Sequence, residues 1–111
     1  MALHTLFNAL ADPTRFAIVE RLLQQGEMTA GELCEPFDVS RPAISRHLKI
    51  LEDAGVIERR VDRQFRVFRA RAGSFREVED WLERNRQFWE TSLDRLKRLM
   101  EEGGEDDGSR S

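Results

Sequence analysis

The sequence predicts a mainly α-helical (α+β) fold, in which helices pack around one two-stranded β-hairpin. Apolar residues recur at three- and four-residue spacing through 3–54 and again from about 75 to 101, as in helices packed on one face. Between these regions, VIERRVDRQFRVFRAR (56–71) alternates apolar and basic residues, as strands do. A chain of 111 residues forms one compact domain, so a large active-site cleft is not expected.

Apolar spacing and capping residues predict two helices at the start of the chain. The apolar side of the first is formed by Leu3, Leu6, Phe7 and Leu10. The motif ADPTR (11–15) then offers Asp12 as the N-cap of the second helix and Pro13 at its first position, where a missing N–H costs nothing. Gly26 ends this helix.

The third and fourth helices are separated by only three or four residues. Thr29 and Glu32 have the T-x-x-E spacing of a capping box and open a short third helix. Ser40 caps the fourth helix, Pro42 lies in its first turn, and Gly55 ends it. Two helices joined so closely form a helix-turn-helix, and the hairpin after them, with its turn near 61–64, predicts a winged helix-turn-helix.

The C-terminal part is predicted to form one long amphipathic dimerisation helix. Ser74 and Glu77 have the spacing of another capping box, and the helix extends from about 75 to about 101. The following segment is acidic and lacks apolar residues, which predicts a disordered tail over 102–111 and a winged helix-turn-helix domain over 1–101.

Charge is unevenly distributed along the chain. The formal net charge is −3, yet residues 40–71 carry nine Arg or Lys against four acids, a net of +5. Residues 1–39 and 72–111 each carry a net of −4. A basic module within an acidic chain is the electrostatic pattern of a nucleic-acid-binding protein, although a solvated charged face would give the same count.

A helical wheel divides the fourth helix into two sides. The side predicted to face the core carries Ala43, Ile44, His47, Leu48, Ile50 and Leu51. The residues predicted to contact DNA lie at its start and on its other side: Ser40, Arg41, Pro42, Ser45, Arg46 and Lys49. An α-helix fits the major groove, where Arg or Lys binds guanine O6 and N7, so this helix is the predicted recognition element for double-stranded DNA.

The hairpin and the start of the third helix are predicted to add further DNA contacts. The hairpin residues are Arg59, Arg60, Arg63, Gln64 and Arg66, placed over the backbone or the minor groove. Thr29 is expected to contact the DNA backbone. Since arginine is common on exposed strands, a purely solvated role is a stronger alternative for the hairpin than for the fourth helix.

These motifs together resemble the ArsR family of bacterial winged-helix repressors. The resemblance extends over residues 6–70 and is carried by ALADPTRFAIVERLL, TAGELCEPFDVSRPAISRHLKILEDAGVIERR and the hairpin. It implies a homodimeric repressor that binds an inverted-repeat operator and represses its own or neighbouring genes. The segment WLERNRQFWETSLDRLKRL is similar to the metal-independent, autorepressor-type branch.

The resemblance also identifies positions where other family members bind metals. Arsenic-sensing members carry Cys-x-Cys in the third-helix region, and the matching positions here are Cys34 and Pro36. Zinc-sensing members use Asp and His of the last helix, whereas this chain has no histidine after His47. One thiolate cannot chelate a thiophilic metal, so no metal and no cofactor are expected.

Two side chains near the third and fourth helices have competing interpretations. Cys34 lies beside Leu33, on a side that also includes Phe37, and is interpreted as a buried structural thiol. The alternative is a thiol-responsive repressor, which requires Cys34 to be accessible. His47 lies beside the core and is expected to pack and form hydrogen bonds rather than to contact DNA.

The first and last helices are predicted to form a homodimer interface. Its residues are Leu3, Phe7, Leu10, Trp81, Leu82, Phe88, Trp89, Leu93 and Leu96. Together with Phe75, Val78, Leu99 and Met100, those of the last helix form an apolar band wider than one contact within a small domain needs.

Other classes of protein find little support in the sequence. The chain lacks a P-loop, a G-x-G-x-x-G motif and a nucleophile elbow, so it is not expected to be an enzyme. Without a signal-like start or a run of about 18 apolar residues, a cytoplasmic protein with no membrane partner is expected. A winged-helix dimer whose basic face binds an acidic protein is the alternative to DNA binding.

Overall fold

A computed structural model of the chain describes residues 3–35 and 38–110, with side chains described up to residue 102. Its elements in chain order are α1 (Leu3–Leu10), α2 (Pro13–Gln25), β1 (Met28–Thr29), α3 (Ala30–Cys34), α4 (Arg41–Asp53), β2 (Ile57–Asp62), β3 (Phe65–Ala70), α5 (Ala72–Arg84) and α6 (Arg86–Arg110). They divide into two compact units, Met1–Val78 and Glu79–Ser111. Pro36 and Phe37, predicted near the end of the third helix, lie outside the described residues.

The helices of the first unit begin at the predicted capping residues. Asp12 accepts a hydrogen bond from the backbone N–H of Arg15 at 3.0 Å, and the Ser40 hydroxyl caps α4. Both bonds of the predicted box are present, because Thr29 Oγ1 accepts from the Glu32 N–H at 3.2 Å and Glu32 Oε1 accepts from the Thr29 N–H at 2.9 Å. These local predictions are confirmed.

The predicted hairpin is confirmed and belongs to a three-stranded antiparallel sheet of order β1-β3-β2. Asp62 lies opposite Phe65, and Arg63 in the two-residue turn adopts a φ of 60°. The third strand, β1, pairs Met28 with Phe68 and was not predicted. Two residues are too few to show strand periodicity, so only the contact with β3 defines this strand.

Buried side chains from α1 to α4 and from the sheet form one core. Its members are Leu6, Ala9, Ile18, Val19, Leu22, Met28, Leu33, Ile44, Leu48, Leu51, Ala54, Val56, Ile57 and Phe68. On α4 the buried residues are Ile44, Leu48 and Leu51, whose spacing defines one helix face. We call these three side chains the α4 seam. Because the seam is buried, the opposite face of α4 lies toward solvent.

One residue predicted to lie in the core of α4 is exposed. Ile50 keeps 40% of its accessible surface, whereas Leu51 keeps none. At 100° per residue, Ile50 lies about 120° around the helix from Ile44, so it sits beyond the edge of the buried face. The prediction that Ile50 is a core residue is therefore wrong.

The C-terminal helical segment is present, but it is not one uninterrupted helix. Asn85 separates α5 from α6, and its side-chain amide donates a hydrogen bond to the Trp81 carbonyl at 2.8 Å. A side chain that bonds to the backbone in this way competes with regular helical hydrogen bonding. The helical backbone then continues past the predicted end near 101, to Arg110.

Ser74 does not cap the helix that it was predicted to begin. α5 starts at Ala72, and Ser74 is fully buried, with its hydroxyl donating to the Gly55 carbonyl. A buried hydroxyl needs a hydrogen-bond partner, and the turn after α4 provides it. Ser74 therefore joins the start of α5 to the end of α4.

Among the described residues, no helix is long and apolar enough to cross a membrane.

Truncation of Leu51 should therefore destabilise the protein far more than truncation of its neighbour Ile50. Leu51→Ala leaves a cavity in the core and is expected to cost about 2–5 kcal/mol of unfolding free energy. Ile50→Ala, at an exposed position, is expected to cost about 1 kcal/mol or less. Urea unfolding at one protein concentration measures both, and equal losses would contradict the orientation of α4.

Candidate nucleic-acid interface

The face of α4 opposite the seam presents the predicted recognition residues to solvent. The exposed residues are Arg41, Pro42, Ser45, Arg46 and Lys49. Ser40 precedes them as the N-cap, its hydroxyl accepting the Ala43 N–H at 3.2 Å. The N-terminal half of the helix therefore exposes cations and a hydroxyl along one continuous surface.

The strand register divides the predicted hairpin arginines between the two faces of the sheet. Side chains directly opposite each other in an antiparallel pair share a face. Arg59 lies opposite the core residue Phe68, so it is on the face that packs toward α4, which we call the inner face. Arg60 lies opposite Val67 and is on the outer face. Arg60 is therefore not brought together with the recognition helix.

A shallow groove joins the inner face of the sheet to the recognition helix. Arg59 and Arg66 contribute from the sheet, and Ser45 and Lys49 contribute from α4. Leu48 and Phe68 close its floor, and both are buried. The cationic surface of α4 thus continues onto the wing through Arg59 and Arg66. Arg63 and Gln64 extend it as exposed residues at the hairpin turn.

The cations of this region differ in whether a carboxylate already pairs with them. The pairs, with their nitrogen–oxygen distances, are Lys49 with Asp53 at 3.0 Å, Arg59 with Glu52 at 3.1 Å, Arg60 with Glu27 at 2.7 Å and Arg69 with Glu58 at 2.6 Å. Within the described part of the chain, no ion pair is formed by Arg71, which follows β3, or by four arginines of α4 and the wing: Arg41, Arg46, Arg63 and Arg66. We call these four residues the unpaired arginines.

Arg60 is held by carboxylates on its side of the sheet. Its Nε donates to Glu27 Oε2, and Asp62 lies 3.7 Å from its Nη1. The hydrogen bond from Arg60 holds the pKa of Glu27 below its ordinary value of 4.5, and the same bond raises the pKa of Arg60. Through its ion pair with Glu27, Arg60 therefore connects β2 to the segment before β1. This is a structural role that does not involve DNA.

The side chains of Thr29 and Arg41 both lie close to Gly31 of α3. A Cβ placed on Gly31 would lie 3.6 Å from Arg41 Nη2 and 3.9 Å from Thr29 Oγ1. The Thr29 oxygen accepts the Glu32 N–H, and hydrogen bonds from the Thr29 backbone and side chain hold the pKa of the Glu32 carboxyl below its ordinary value. Thr29 is therefore engaged in the cap of α3, and its contact with the DNA backbone stays a prediction.

His47 packs at the flank of α4 and faces α2. Its Nδ1 lies 3.4 Å from Arg15 Nη1 and 3.8 Å from Asp12 Oδ2, and its side chain keeps 23% of its accessible surface. This arrangement supports a packing and hydrogen-bonding role. Arg15 was not predicted as the partner of His47, and no local sequence pattern could indicate it, because 32 residues separate the two.

Comparison with known proteins identifies the family. A helix-turn-helix domain family matches residues 10–60. The transcriptional repressor SdpR of Bacillus subtilis is 38% identical over 80 residues, which cover 72% of this chain and 88% of that protein. The HTH-type transcriptional regulator Rv2034 of Mycobacterium tuberculosis is 38% identical over 100 residues, 90% of each chain.

Solved structures agree with these sequence matches. The crystal structure of an ArsR family transcriptional regulator superposes with a TM-score of 0.71 at 39% identity, covering 79% of this chain and 96% of the other. The chain belongs to the ArsR family of winged helix-turn-helix repressors. An ArsR-like regulator from Rhodococcus sp. RHA1 gives a TM-score of 0.68 at 30% identity, covering 87% of this chain and 91% of the other. The family and the fold are those of DNA-binding transcriptional regulators, not of enzymes.

The cysteine of this ArsR-family chain is the last residue of α3 and faces a cleft that α3 forms with α4. Cys34 is half-buried against the core and lines a small cleft with Gly31, Arg41 and Ser45. Among the described residues, no three His, Cys, Asp or Glu side chains are grouped as a metal site requires. Pro36, which matches the second cysteine of arsenic-sensing members, lies outside those residues.

The Arg60–Glu27 pair should make stability depend on acidity. A carboxylate whose pKa is lowered by folding stabilises the fold above its ordinary pKa, and this contribution is lost as the pH falls through the lowered value. The difference in unfolding free energy between wild type and Glu27→Gln is therefore expected to be constant near neutrality and to shrink below about pH 4.5. Glu20→Gln, an exposed change on α2, is the control; a difference that persists at pH 3 would contradict the assignment.

Proposed function

We propose that this chain acts as a cytoplasmic homodimeric repressor that binds an inverted-repeat operator, with α4 in the major groove and the wing beside it. The observation that carries the proposal is the orientation of α4. Its seam is buried, so Arg46 and Ser45 are exposed on the opposite face of the same helix. A helix offered in this way fits the major groove, where arginine binds guanine with two hydrogen bonds.

The unpaired arginines are proposed to supply most of the DNA contacts. Binding through them breaks no existing ion pair, whereas Arg60 would have to leave Glu27. Arg46 lies on the outward face of the recognition helix, which favours base reading. Arg63 and Arg66 lie on the wing and are assigned to phosphates, as is Arg41 at the start of α4.

Dimerisation is proposed to cover the apolar stripe of α6 and the exposed side of α1. Large apolar side chains of α6 keep most of their surface in water: Phe88, Leu93, Leu96, Leu99 and Met100. Trp89 packs edge-on against both Trp81 and Phe88, with ring centroids 6.2 and 5.7 Å apart. A contiguous apolar stripe of this kind marks an interaction surface. Phe7 adds an exposed apolar residue on α1.

A second copy is the proposed occupant of these faces because two-fold symmetry also explains the recognition element. One recognition helix reads only a few base pairs, whereas a dimer presents two at about 34–36 Å, one turn of DNA. We further propose that operator binding needs no metal or cofactor. Among the described residues, no three His, Cys, Asp or Glu side chains are grouped as a metal site requires, which supports this proposal.

Substitution of the arginines should separate base reading from phosphate contact. With the duplex that the wild type selects from a randomised pool as the probe, Arg46→Ala is expected to cost about 1–3 kcal/mol and to relax sequence preference. Arg63→Ala should weaken all duplexes evenly and lower the salt slope by about one per protomer. Arg60→Ala is the matched control and should change affinity little. A loss at Arg60 equal to that at Arg46 would contradict the assignment.

Charged residues on the α6 stripe should dissociate the dimer without unfolding the first unit. The double substitution Leu93→Glu and Leu96→Glu places two carboxylates at exposed apolar positions. Sedimentation at micromolar concentration is expected to show a monomer with unchanged helical content and weakened operator binding. The double substitution Gln87→Glu and Thr91→Glu adds the same charge at exposed polar positions of α6 and should leave the dimer intact. A monomeric wild type would overturn the proposal.

A further inference from the structure

Two of the motifs that carry the family resemblance meet at one point of the fold. Asp12 and Arg15 belong to ADPTR at the start of α2, and His47 belongs to SRHL on α4. Arg15 Nη1 lies 3.4 Å from His47 Nδ1, and Asp12 Oδ2 lies 3.8 Å from the same nitrogen. The DNA contacts proposed above involve none of these three side chains.

Arg15 connects three helices. Its Nε donates to the Ala9 carbonyl at 2.7 Å, close to the end of α1, and its Nη1 faces His47 of α4. Its backbone N–H donates to Asp12 and so completes the cap of its own helix, α2. Arginine has donors only, so a hydrogen bond in this contact takes His47 Nδ1 as its acceptor. We call Arg15, His47, Asp12 and the Ala9 carbonyl the α2–α4 clip.

The clip contains a carboxylate beside its arginine. The pKa of Asp12 is held below its ordinary value, first by the hydrogen bond from the Arg15 N–H and also by the nearby charges of His47 and Arg15. Asp12 is therefore a carboxylate at neutral pH, beside the guanidinium.

The clip supplies a directional constraint that the seam lacks. Ile44, Leu48 and Leu51 hold α4 through apolar burial, which is not directional and tolerates a small roll of the helix. A side-chain atom that lies about 6 Å from the helix axis is displaced by about 1 Å when the helix rolls by about 10°. Binding side chains need to be held within about 0.5 Å and 10–20° of the productive geometry. Hydrogen bonds at the flank of α4 resist that roll because they depend on angle as well as distance.

We propose that Arg15 and His47 are positioning residues for DNA recognition, which fix the rotation of α4 against α1 and α2 so that Arg46 meets its base. This inference rests on the proposed reading of DNA by α4. His47 is suited to this role because it lies on the same helix as Arg46, one residue further on, but points toward α2 rather than toward solvent. Its contribution to affinity is indirect and should depend on Arg15.

The test compares substitutions at both ends of the contact. His47→Leu removes the acceptor but retains apolar volume, Arg15→Met removes the donors, and His47→Asn keeps a polar group close to the position of Nδ1. The probes are the duplex selected by the wild type from a randomised pool and a random-sequence duplex of equal length. Circular dichroism and thermal unfolding verify that each variant is folded. If Arg15→Met does not fold, Arg15→Lys is used in its place. Lysine keeps the positive charge but cannot reach both the Ala9 carbonyl and His47 Nδ1.

The expected result is a loss of specific binding without loss of general binding. His47→Leu and Arg15→Met should each weaken binding of the selected duplex by about tenfold, and the double substitution should weaken it no further. His47→Asn should recover most of the affinity. Binding of the random duplex should change by less than about twofold, because the phosphate-contacting arginines are unaltered.

Other outcomes overturn the inference and separate it from the proposed function. If His47→Leu weakens binding and Arg15→Met does not, or if the losses add, His47 contacts DNA directly and the clip has no positioning role. Equal losses on both duplexes would show a general structural effect instead. If the wild type selects no sequence from the pool, the proposed function itself fails.

Discussion

Three side chains on one face of α4, Ile44, Leu48 and Leu51, are almost completely removed from water. Burying a side chain of this size contributes about 1.5–3 kcal/mol, so any rotation of α4 that exposes the seam is strongly disfavoured. The orientation of the opposite face follows from this burial. Arg46 and Ser45 are outward because the core fixes the inward residues, and the proposed DNA contacts depend on that orientation.

Ion pairs within the fold distinguish among the exposed cations. The basic module carries nine cations, but carboxylates within the fold already pair with Lys49, Arg59, Arg60 and Arg69. Exposed pairs of this kind contribute little to stability, yet a cation must leave its partner before it can bind a phosphate. The unpaired arginines lie on α4 and on the wing. The pairing of each cation together with its position, rather than the number of cations, therefore identifies the proposed DNA surface.

Local features of the fold could be predicted from the sequence, and non-local ones could not. Asp12, Thr29 and Ser40 cap helices through bonds to residues three positions away, so their spacing in the sequence is sufficient. The hairpin was likewise visible as alternation around a short turn. By contrast, β1 exists only through its pairing with β3, and Ser74 is placed by the distant Gly55 carbonyl.

The features of the candidate site also divide into local ones, which the sequence predicts, and non-local ones, which it does not. The outward residues of α4 followed from helical periodicity, and all of them are exposed. The hairpin arginines were grouped together because the sequence does not say which face packs on α4; the register separates Arg59 from Arg60. The contact between Arg15 and His47 joins residues 32 positions apart and required the tertiary structure.

The most direct test of the central claim is a crystal structure of the protein bound to a duplex that it selects. The seam predicts that the N-terminal half of α4 enters the major groove, with the Arg46 guanidinium within hydrogen-bond distance of a base edge and Arg66 beside a phosphate. A complex in which DNA lies against the outer face of the sheet, at Arg60 and Arg69, with α4 outside the groove, would contradict the account.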